Sequence, residues 1–429
     1  MSAPSEGQSL PLSRNPNYQL LWISQVLSGV GLSASVIAFP LLVLALTGSA
    51  TASGLVLGAI AAAQLLAGVP AGALADRWDR KTIMLSCEAT QGIAAASLVA
   101  ALWWDVARIP YLVVVAAVIG ACAALFRPAE DACLPRVVPA EQLSPAVALN
   151  AARASVAQLS GTAVGGFLFA AARFVPFAVD ALAHTLACIL LVFLRVPPRE
   201  VRPAPIRHLG REIAAGLQWV WGHRHIRITA LCAIVLNLFF SAFYLIIIVL
   251  AHARGVPSGQ IGIMAAMLGV GGLLGALVAS RLSQVVSPYV SIIAVFWVLA
   301  GLTPVAAFVD SGYLLGLLLA AMALLPATAN TTIITRQLLL TPDDLRGRLS
   351  SVLAIVTGVA AALGPVLGGL LAAAVSGTLA VLMCAGGIAA VAVVATLSPT
   401  LRNFPRHQAS PAELPEVEPQ LKTEGHGGP

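Results

Sequence analysis

The sequence predicts an all-α polytopic membrane protein with 12 transmembrane helices in two six-helix, pseudo-repeated halves. Three observations predict this fold class: the composition, the number of long apolar runs and an internal repeat. Apolar residues make up 59% of the 429 residues and charged residues 10%, and the mean hydropathy is +0.92. Soluble domains carry about 25% charged residues. A surface with so few charges cannot face water, so lipid must cover most of the protein.

Twelve apolar runs are long enough to cross a bilayer, which takes about 20 residues. In chain order they are 19–46, 52–75, 82–104, 109–127, 145–171, 174–195, 227–251, 259–281, 287–309, 311–335, 347–374 and 376–397. Six spans, a gap and six spans divide the chain into five parts. These are a cytoplasmic N-terminal segment (1–18), an N-terminal six-helix half (19–195), a cytoplasmic linker (196–226), a C-terminal six-helix half (227–397) and a disordered cytoplasmic tail (398–429).

The linker and the tail differ from the spans in composition. The linker carries four prolines and four arginines between 197 and 211, and Leu209–Gly222 has apolar residues at helical spacing. This pattern predicts an amphipathic helix that lies on the membrane surface. The tail from Ser398 is rich in Pro, Glu and Gly and has no apolar period. Such a composition is typical of disordered segments.

The distribution of Lys and Arg predicts how the chain is oriented. If both termini lie in the cytoplasm, 20 of the 24 basic residues fall on the inner side. Arg108, Arg173 and Arg254 fall outside, and Arg153 lies near the inner end of span five. This bias follows the positive-inside rule and predicts a multi-pass protein of the cell (plasma or inner) membrane. Because the basic residues lie in short loops, they indicate topology and no nucleic-acid partner.

The two halves repeat at an offset of 203 residues. The matched positions are Gly72 and Gly275, Pro139 and Pro342, Glu141 and Asp344, and the runs Gly161–Gly166 and Gly364–Gly369. An even number of spans per half gives parallel repeats, related by an axis along the membrane normal. A site near mid-membrane between the halves is expected for this symmetry.

The loop between spans two and three carries the most specific motif. It reads GALADRWDRK from Gly72 to Lys81 and resembles the major facilitator loop signature GxLxDRxGRK. Glycine permits close helix packing, and a carboxylate at a helix end can pair with an arginine or a facing helix N-terminus. The resemblance implies a latch on the cytoplasmic side that breaks when that side opens. The expected latch residues are Gly72, Asp76, Arg77, Arg80 and Lys81. Asp79 replaces the family glycine, and Ala279 holds the matching aspartate position of the second half.

A glycine motif occurs in spans five and eleven. Its residues are Gly161, Gly165 and Gly166 in the first half and Gly364, Pro365, Gly368 and Gly369 in the second. The motif is similar to the GPxxGG antiporter signature of exporters in the major facilitator superfamily, although Thr162 stands where the family has proline. Small residues let a helix bend and pack closely against a neighbour. Glycine-rich helix packing is common in membrane proteins, so ordinary packing is the alternative interpretation.

Four further segments resemble the exporter branch of that superfamily that includes enterobactin exporters and macrolide efflux proteins. They are Arg14–Trp22, Phe126–Ala129, Leu134–Leu143 and Asp343–Arg348, and the resemblance covers nearly all of 14–397. It implies a monomeric secondary transporter that exports a hydrophobic or amphipathic small molecule, of drug, antibiotic or siderophore type. Proton antiport with alternating access is the implied mechanism.

Ionisable residues within spans are costly and are therefore functional candidates. Asp180 and His184 lie four residues apart on one helix face, in a DALAH run that is similar to a DALSF stretch of the exporter branch. A buried carboxylate beside a histidine can carry a coupling proton, and Glu88 is a further candidate. A purely structural hydrogen-bonded pair is the alternative. The candidate cavity residues are Gln64, Gln91, Arg153, Gln158, Asn237 and Asn330.

Other functions remain open at this stage. An importer or facilitator of a small metabolite is one alternative, and a membrane-embedded non-transport scaffold or sensor is another. The sequence lacks HExxH, GxSxG and P-loop motifs, so we expect neither an enzyme nor a cofactor. Its six cysteines form no CxxC pair and fall mostly in apolar runs, which indicates packing and not a metal site. The expected partners are the small-molecule substrate, protons and the lipid bilayer.

Overall fold

The described chain is almost entirely helical. The computed structural model describes residues 11–196, 209–339, 341 and 343–402. The first half contains α1 (Pro16–Thr47), α2 (Ala50–Arg77), α3 (Arg80–Trp103), α4 (Ile109–Val137), α5 (Leu143–Ala171) and α6 (Val175–Phe193). After α7 (Leu209–Gly222), the second half contains α8 (Arg224–Ala253), α9 (Ser258–Val285), α10 (Pro288–Leu302), α11 (Gly312–Leu324), α12 (Pro326–Leu339), α13 (Asp343–Ala374), α14 (Gly377–Leu397) and the short α15 (Pro399–Arg402). Twelve segments of this described chain are long and apolar enough to cross a membrane, which confirms the predicted fold class.

Capping residues determine where the first helices begin and end. The side chain of Asn15 accepts a hydrogen bond from the backbone N–H of Tyr18, and that of Ser49 accepts one from Ala52. Between them, Gly48 ends α1 with φ 65°, in the left-handed region that glycine adopts at little cost. The chain therefore reverses within two residues, and α2 returns alongside α1.

The bundle has two ends. At the end that we call the lower end, α1 begins and α2 and α4 end. At the opposite end, the upper end, α1 ends and α2 and α4 begin. The connections at the lower end carry Arg77, Arg80 and Arg136, whereas Arg108 lies at the upper end. This clustering at one end agrees with the charge distribution on which the predicted orientation depends. The assignment of the lower end to the cytoplasm stays a prediction.

Two spans differ from their predicted form. The fourth span was predicted to end at 127, but α4 continues to Val137 and includes Pro128 and Pro135. Proline removes one backbone hydrogen bond, and membrane helices tolerate this where neighbouring groups satisfy the freed carbonyl. The tenth span, predicted over 311–335, is one candidate span, Gly312–Ile334, but its helix is interrupted at Leu325 between α11 and α12. Pro326 begins the new helix because its missing N–H costs nothing at a first helical position.

The two halves meet at the upper end at helix crossings that depend on glycine. A Cβ on Gly166 of α5 would lie 2.7 Å from the Cα of Gly262 in α9. In the second half, a Cβ on Gly369 of α13 would lie 2.5 Å from the carbonyl oxygen of Ala50 in α2. No side chain fits at such distances, so only glycine allows the backbones to cross here. These two crossings, α5 with α9 and α2 with α13, close the upper end.

The repeat has two registers, which corrects the single offset of 203. Gly166 and Gly369 are equivalent residues of α5 and α13. Gly166 contacts Ser258 at the start of α9, and Gly369 contacts Ala50 at the start of α2. These two contacted residues are therefore equivalent as well, and their numbers differ by 208 (258 against 50). The N-caps Asp79 and Ser287 of α3 and α10 show the same offset. The glycine runs of α5 and α13 keep the offset of 203. The second half is therefore five residues shorter between the start of its third helix, at 288, and the start of its fourth, at 312, than the first half is between 80 and 109.

This register changes two of the predicted matches. Gly72 was paired with Gly275, but at an offset of 208 its counterpart is Ser280, and that of Asp76 is Gln284 rather than Ala279. The glycine match at 275 came from composition, because both α2 and α9 are rich in small residues. Gly275 instead lies at the crossing of α9 and α11, where a Cβ would meet the backbone of Leu324. The conclusion that the second half lacks the aspartate is unchanged.

The linker helix and the start of the tail are both ordered. Val220 of α7 is buried in a cluster with Ile226, Leu349 and Val352, while Leu217 and Trp221 are exposed. An apolar face that is only partly covered is compatible with the predicted contact with the membrane surface. The tail was predicted to be disordered from Ser398, but Pro399–Arg402 is helical and Leu401 is fully buried. The remainder of the predicted tail, 403–429, lies outside the described residues.

Candidate transport site

A central cavity of about 980 Å³ lies between the two halves. Its wall runs from Ile37 and Pro40, in the upper third of α1, to Leu134 and Val147, close to the lower ends of α4 and α5. The glycine crossings close the opposite end. The cavity is therefore reached from the lower end, and its volume matches that of sites that hold drug-sized molecules, roughly 300–1,000 Å³.

The two halves contribute opposite chemistry to the cavity wall. The second half supplies Tyr244, Ile248, Ala265, Ala266, Leu268 and Gly269. The first half supplies the charged and amide side chains, namely Gln25, Gln64, Glu88, Gln91, Arg127, Glu130, Asp131, Asn150, Arg153, Gln158 and His184. One wall is therefore polar and the other apolar.

Four of the six predicted cavity residues line this space and two do not. Gln64, Gln91, Arg153 and Gln158 lie in its wall. Asn237 and Asn330 line a separate pocket of about 50 Å³ within the second half. The side-chain amide of Asn237 donates to the carbonyl oxygen of Ala233 at 2.8 Å, one turn earlier in α8. The polar residues of the two halves are thus not equivalent, although the folds are.

The three residues predicted to carry the proton lie together. His184 of α6 places Nδ1 2.6 Å from Oε2 of Glu88 in α3, and Nε2 3.3 Å from Oδ1 of Asp180. The second contact is close enough for an ion pair but is not aligned as a hydrogen bond. All three residues are 1% exposed, and Glu88 and His184 reach the cavity wall. We call these three residues the acidic–histidine cluster.

Helix α1 supplies the remaining contacts of this cluster. The hydroxyl of Ser35 donates to Oδ2 of Asp180 at 2.8 Å, and the amide of Gln25 donates to Oε1 of Glu88 at 3.2 Å. A Cβ on Gly31 would lie 2.9 Å from Oδ1 of Asp180, so glycine is needed for α1 to approach α6. Each carboxylate therefore keeps one oxygen for the imidazole and one for a neutral donor. The cluster joins α1, α3 and α6 within the first half.

A second charged pair, formed by Arg153 and Glu130, was only half predicted. Arg153 of α5 places Nη2 2.8 Å from Oε1 of Glu130 in α4, and both side chains are about one tenth exposed. Glu130 was missed because Pro128 was taken as the end of the fourth span. Residues 127, 130, 131 and 134 are spaced three, one and three residues apart, as on one face of a helix. This spacing could have indicated that the fourth helix continues past Pro128.

The loop motif holds α2 and α3 to their neighbours in the first half. Arg80 lies 3.9 Å from the exposed Asp76 and donates to the carbonyl oxygen of Ala132 in α4. Lys81 donates to the carbonyl oxygens of Val192 and Leu194 at 2.7 and 2.8 Å. These carbonyls end α6 and have no partner within that helix. The motif is thus a brace within one half, and its role as a latch between halves stays a prediction.

Gly72 does not have the close packing that the sequence predicted for it. It is exposed, and a Cβ at this position would meet no described atom within 4 Å. The glycines of α5 and α13 do pack closely, as expected. A Cβ on Gly165 would lie 2.7 Å from the Cα of Ala34 in α1, and one on Gly368 would lie 2.5 Å from the carbonyl oxygen of Ala242 in α8.

The residue that replaces the family glycine in the loop motif caps α3. The carboxylate of Asp79 accepts hydrogen bonds from the backbone N–H and the hydroxyl of Thr82, both at 2.9 Å. Asp79→Ala should lower the free energy of unfolding by about 1 kcal/mol because an N-cap acceptor is lost. Asp79→Asn should retain most of the stabilisation that the cap contributes, because the asparagine side chain can also accept the hydrogen bond from Thr82. Thermal unfolding of the two purified variants compares them directly, and equal midpoints would show that the cap contributes nothing.

The described chain has twelve candidate membrane spans in two repeated halves with a cavity between them, which is the architecture of the major facilitator class of transporters. The chain belongs to the transmembrane secretion effector family, whose model matches residues 8–429. It is 27% identical over 417 residues to the multidrug efflux pump Tap of Mycobacterium tuberculosis, covering 91% of this chain and 95% of Tap. It is 24% identical over 277 residues to the enterobactin exporter EntS of Escherichia coli, covering 65% of this chain and 66% of EntS. The predicted family and its exporter-like relatives are thereby confirmed.

The fold is also similar to that of solved transporters. The crystal structure of the nucleoside transporter NupG superposes with a TM-score of 0.73 at 13% identity, covering 91% of this chain and all 100% of NupG. At this identity the likeness shows the fold alone. Together with the family match over residues 8–429, the twelve candidate spans of the described chain identify a membrane transporter of the major facilitator superfamily.

Proposed function

We propose that this protein exports a hydrophobic or amphipathic small molecule in exchange for protons. The observation that carries the proposal is the acidic–histidine cluster, which is buried in the membrane span and reaches the cavity through Glu88 and His184. Ionisable groups at this depth are costly and commonly mark proton relays. Similarity to Tap and EntS, which are named as exporters, supports the direction of transport.

The cluster can exchange a proton without moving far. An imidazolium between two carboxylates leaves one net negative charge, and one added proton makes the cluster neutral. Because a buried net charge is unfavourable in low dielectric, the two protonation states differ in how well they tolerate a closed, dry environment. Proton binding therefore favours one arrangement of the helices around α1, α3 and α6, and proton release favours another.

Alternating access would use the two ends of the bundle in turn. The glycine crossings hold the upper end closed, and the loop motif lies at the lower end. Export requires that the lower end faces the cytoplasm, with both termini inside, as the distribution of Lys and Arg predicts. The substrate would enter from the cytoplasm or the inner leaflet, and the cluster would take up its proton when the upper end is open.

The direct test measures retention of a panel of dyes, antibiotics and siderophores in cells with and without the protein. A protonophore is added halfway. We expect lower retention of at least one compound, reversed by the protonophore, because the proton gradient drives export. Glu141→Gln removes an exposed carboxylate outside the cavity and serves as a control for expression.

Each other outcome of this test argues against the proposal. Higher retention of a compound would favour an importer or facilitator. Export that persists in the protonophore would remove proton coupling. Unchanged retention of every compound, together with unchanged uptake in reconstituted vesicles, would favour a scaffold or sensor.

A further inference from the structure

Arg153 carries hydrogen-bond donors that the protein leaves unused. Its side chain is 8% exposed and lies in the wall of the central cavity. Nη2 contacts Glu130, but Nε and Nη1 are buried without a hydrogen-bond partner among the described residues. An arginine cannot give up its proton, so these donors persist at any physiological pH. They point to a ligand that supplies the missing acceptors.

The energetic argument favours an anionic acceptor. A buried donor without a partner costs more than an ordinary hydrogen bond returns, and the cost is larger for a charged group. A carboxylate or phenolate oxygen makes charge-assisted bonds to guanidinium, which are roughly twice as strong as neutral ones. The single carboxylate of Glu130 leaves two of the three guanidinium nitrogens, Nε and Nη1, without an acceptor among the described residues, and a second anionic oxygen would satisfy one of them.

The opposite wall indicates what the rest of the ligand is like. Tyr244, Ile248 and Leu268 of the second half face the polar wall across the cavity. Burial of apolar ligand surface there contributes about 25 cal/mol per Å². Beside the acidic–histidine cluster, Gln91 has a buried Oε1 without a partner among the described residues, and this oxygen can accept from a ligand hydroxyl or N–H.

We propose that the transported molecule is an amphipathic organic acid. Its carboxylate or phenolate oxygen binds Nε or Nη1 of Arg153, and its apolar body lies against the second half. This inference rests on the proposed function, since it names the substrate class of the same cavity. It also assigns separate tasks to the two charged sites: Arg153 and Glu130 recognise the substrate, while the acidic–histidine cluster handles the proton.

The test uses a matched pair of fluorescent probes, a rhodamine with a free benzoic acid and its methyl ester. Binding to the purified protein in detergent is followed by fluorescence polarisation. We expect the wild type to bind the acid at least about tenfold more tightly than the ester, as one charge-assisted bond implies. Arg153→Gln should remove this preference and leave ester binding within about twofold, which also shows that the variant is folded.

Three further variants separate recognition from general charge. Arg153→Lys keeps the positive charge and should restore part of the preference. Glu130→Gln removes the competing carboxylate and should strengthen acid binding. Arg173→Gln removes an exposed arginine at the upper end, outside the cavity, and should change neither affinity.

The outcomes distinguish this inference from the proposed export. Equal affinity of the wild type for acid and ester, including no measurable binding of either, would overturn the Arg153 site, as would an Arg153→Gln variant that keeps the preference. Such a result leaves proton-driven export of other compounds intact. A clear acid preference in a protein that exports nothing would support the Arg153 site and overturn the export proposal.

Discussion

Asp180→Asn is expected to reduce proton-driven export to the rate of membranes without the protein, while the variant stays folded and inserted. Asparagine preserves the volume of the side chain, and its amide oxygen can still accept the hydrogen bond from the hydroxyl of Ser35. It cannot take up or release a proton as the carboxylate does. Because Asp180 lies 3.3 Å from His184 and is fully buried, no water replaces its charge. The measurement is dye export in inverted vesicles with an imposed pH gradient. Glu88→Gln should act in the same way, because it removes the other carboxylate at 2.6 Å.

Two comparisons make this result specific to coupling. Asp310→Asn removes an exposed carboxylate that pairs with Arg254 at the upper end, and it should export normally. Downhill exchange of dye without a pH gradient should persist in Asp180→Asn, since the cavity is unchanged. Full gradient-driven export by Asp180→Asn would exclude Asp180 from the proton pathway. Loss of both export and exchange would indicate a structural role instead.

The sequence predicted the part of this cluster that lies on a single helix. Asp180 and His184 are four residues apart, so their shared face follows from helical periodicity alone. The contact of His184 with Glu88 depends on how α3 packs against α6, and no local pattern encodes that distance. Glu88 was therefore a candidate without a partner until the fold placed it 2.6 Å from the imidazole.

The errors have physical causes of the same kind. Glu130 was outside the predicted span because proline usually ends a helix in water, whereas α4 continues through Pro128 in a membrane bundle. The repeat was detected at its second register, where the glycine runs are distinctive. The first register was obscured because the second half is five residues shorter between the start of its third helix and the start of its fourth. Span number and amphipathicity depend on local composition and were predictable, while pairing across helices was not.

Gly262→Ala is expected to open the upper end of the bundle. A Cβ at this position would lie 2.8 Å from the carbonyl oxygen of Ala163 and 2.9 Å from the Cα of Gly166, across the boundary between the halves. The clash is with backbone, so no side-chain rotation relieves it. Overpacking of this kind costs about 1–3 kcal/mol. Since about 1.4 kcal/mol is tenfold in an equilibrium constant, the upper-closed state should lose roughly tenfold or more in population.

The readout is the accessibility of a cysteine deep in the cavity. Val36→Cys places a thiol in the cavity wall on α1, and a membrane-impermeant maleimide is added from the side that the upper end faces. The double variant Val36→Cys/Gly262→Ala should be labelled faster than Val36→Cys alone. Labelling of the native cysteines is measured in proteins without Val36→Cys and is subtracted from both rates. Gly272→Ala is the matched control on the same helix, because a Cβ there meets no described atom within 4 Å. Equal labelling of the two glycine variants would mean that the crossing of α5 and α9 does not hold the upper end closed. In that case the crossing of α2 and α13 at Gly369 would have to close it alone.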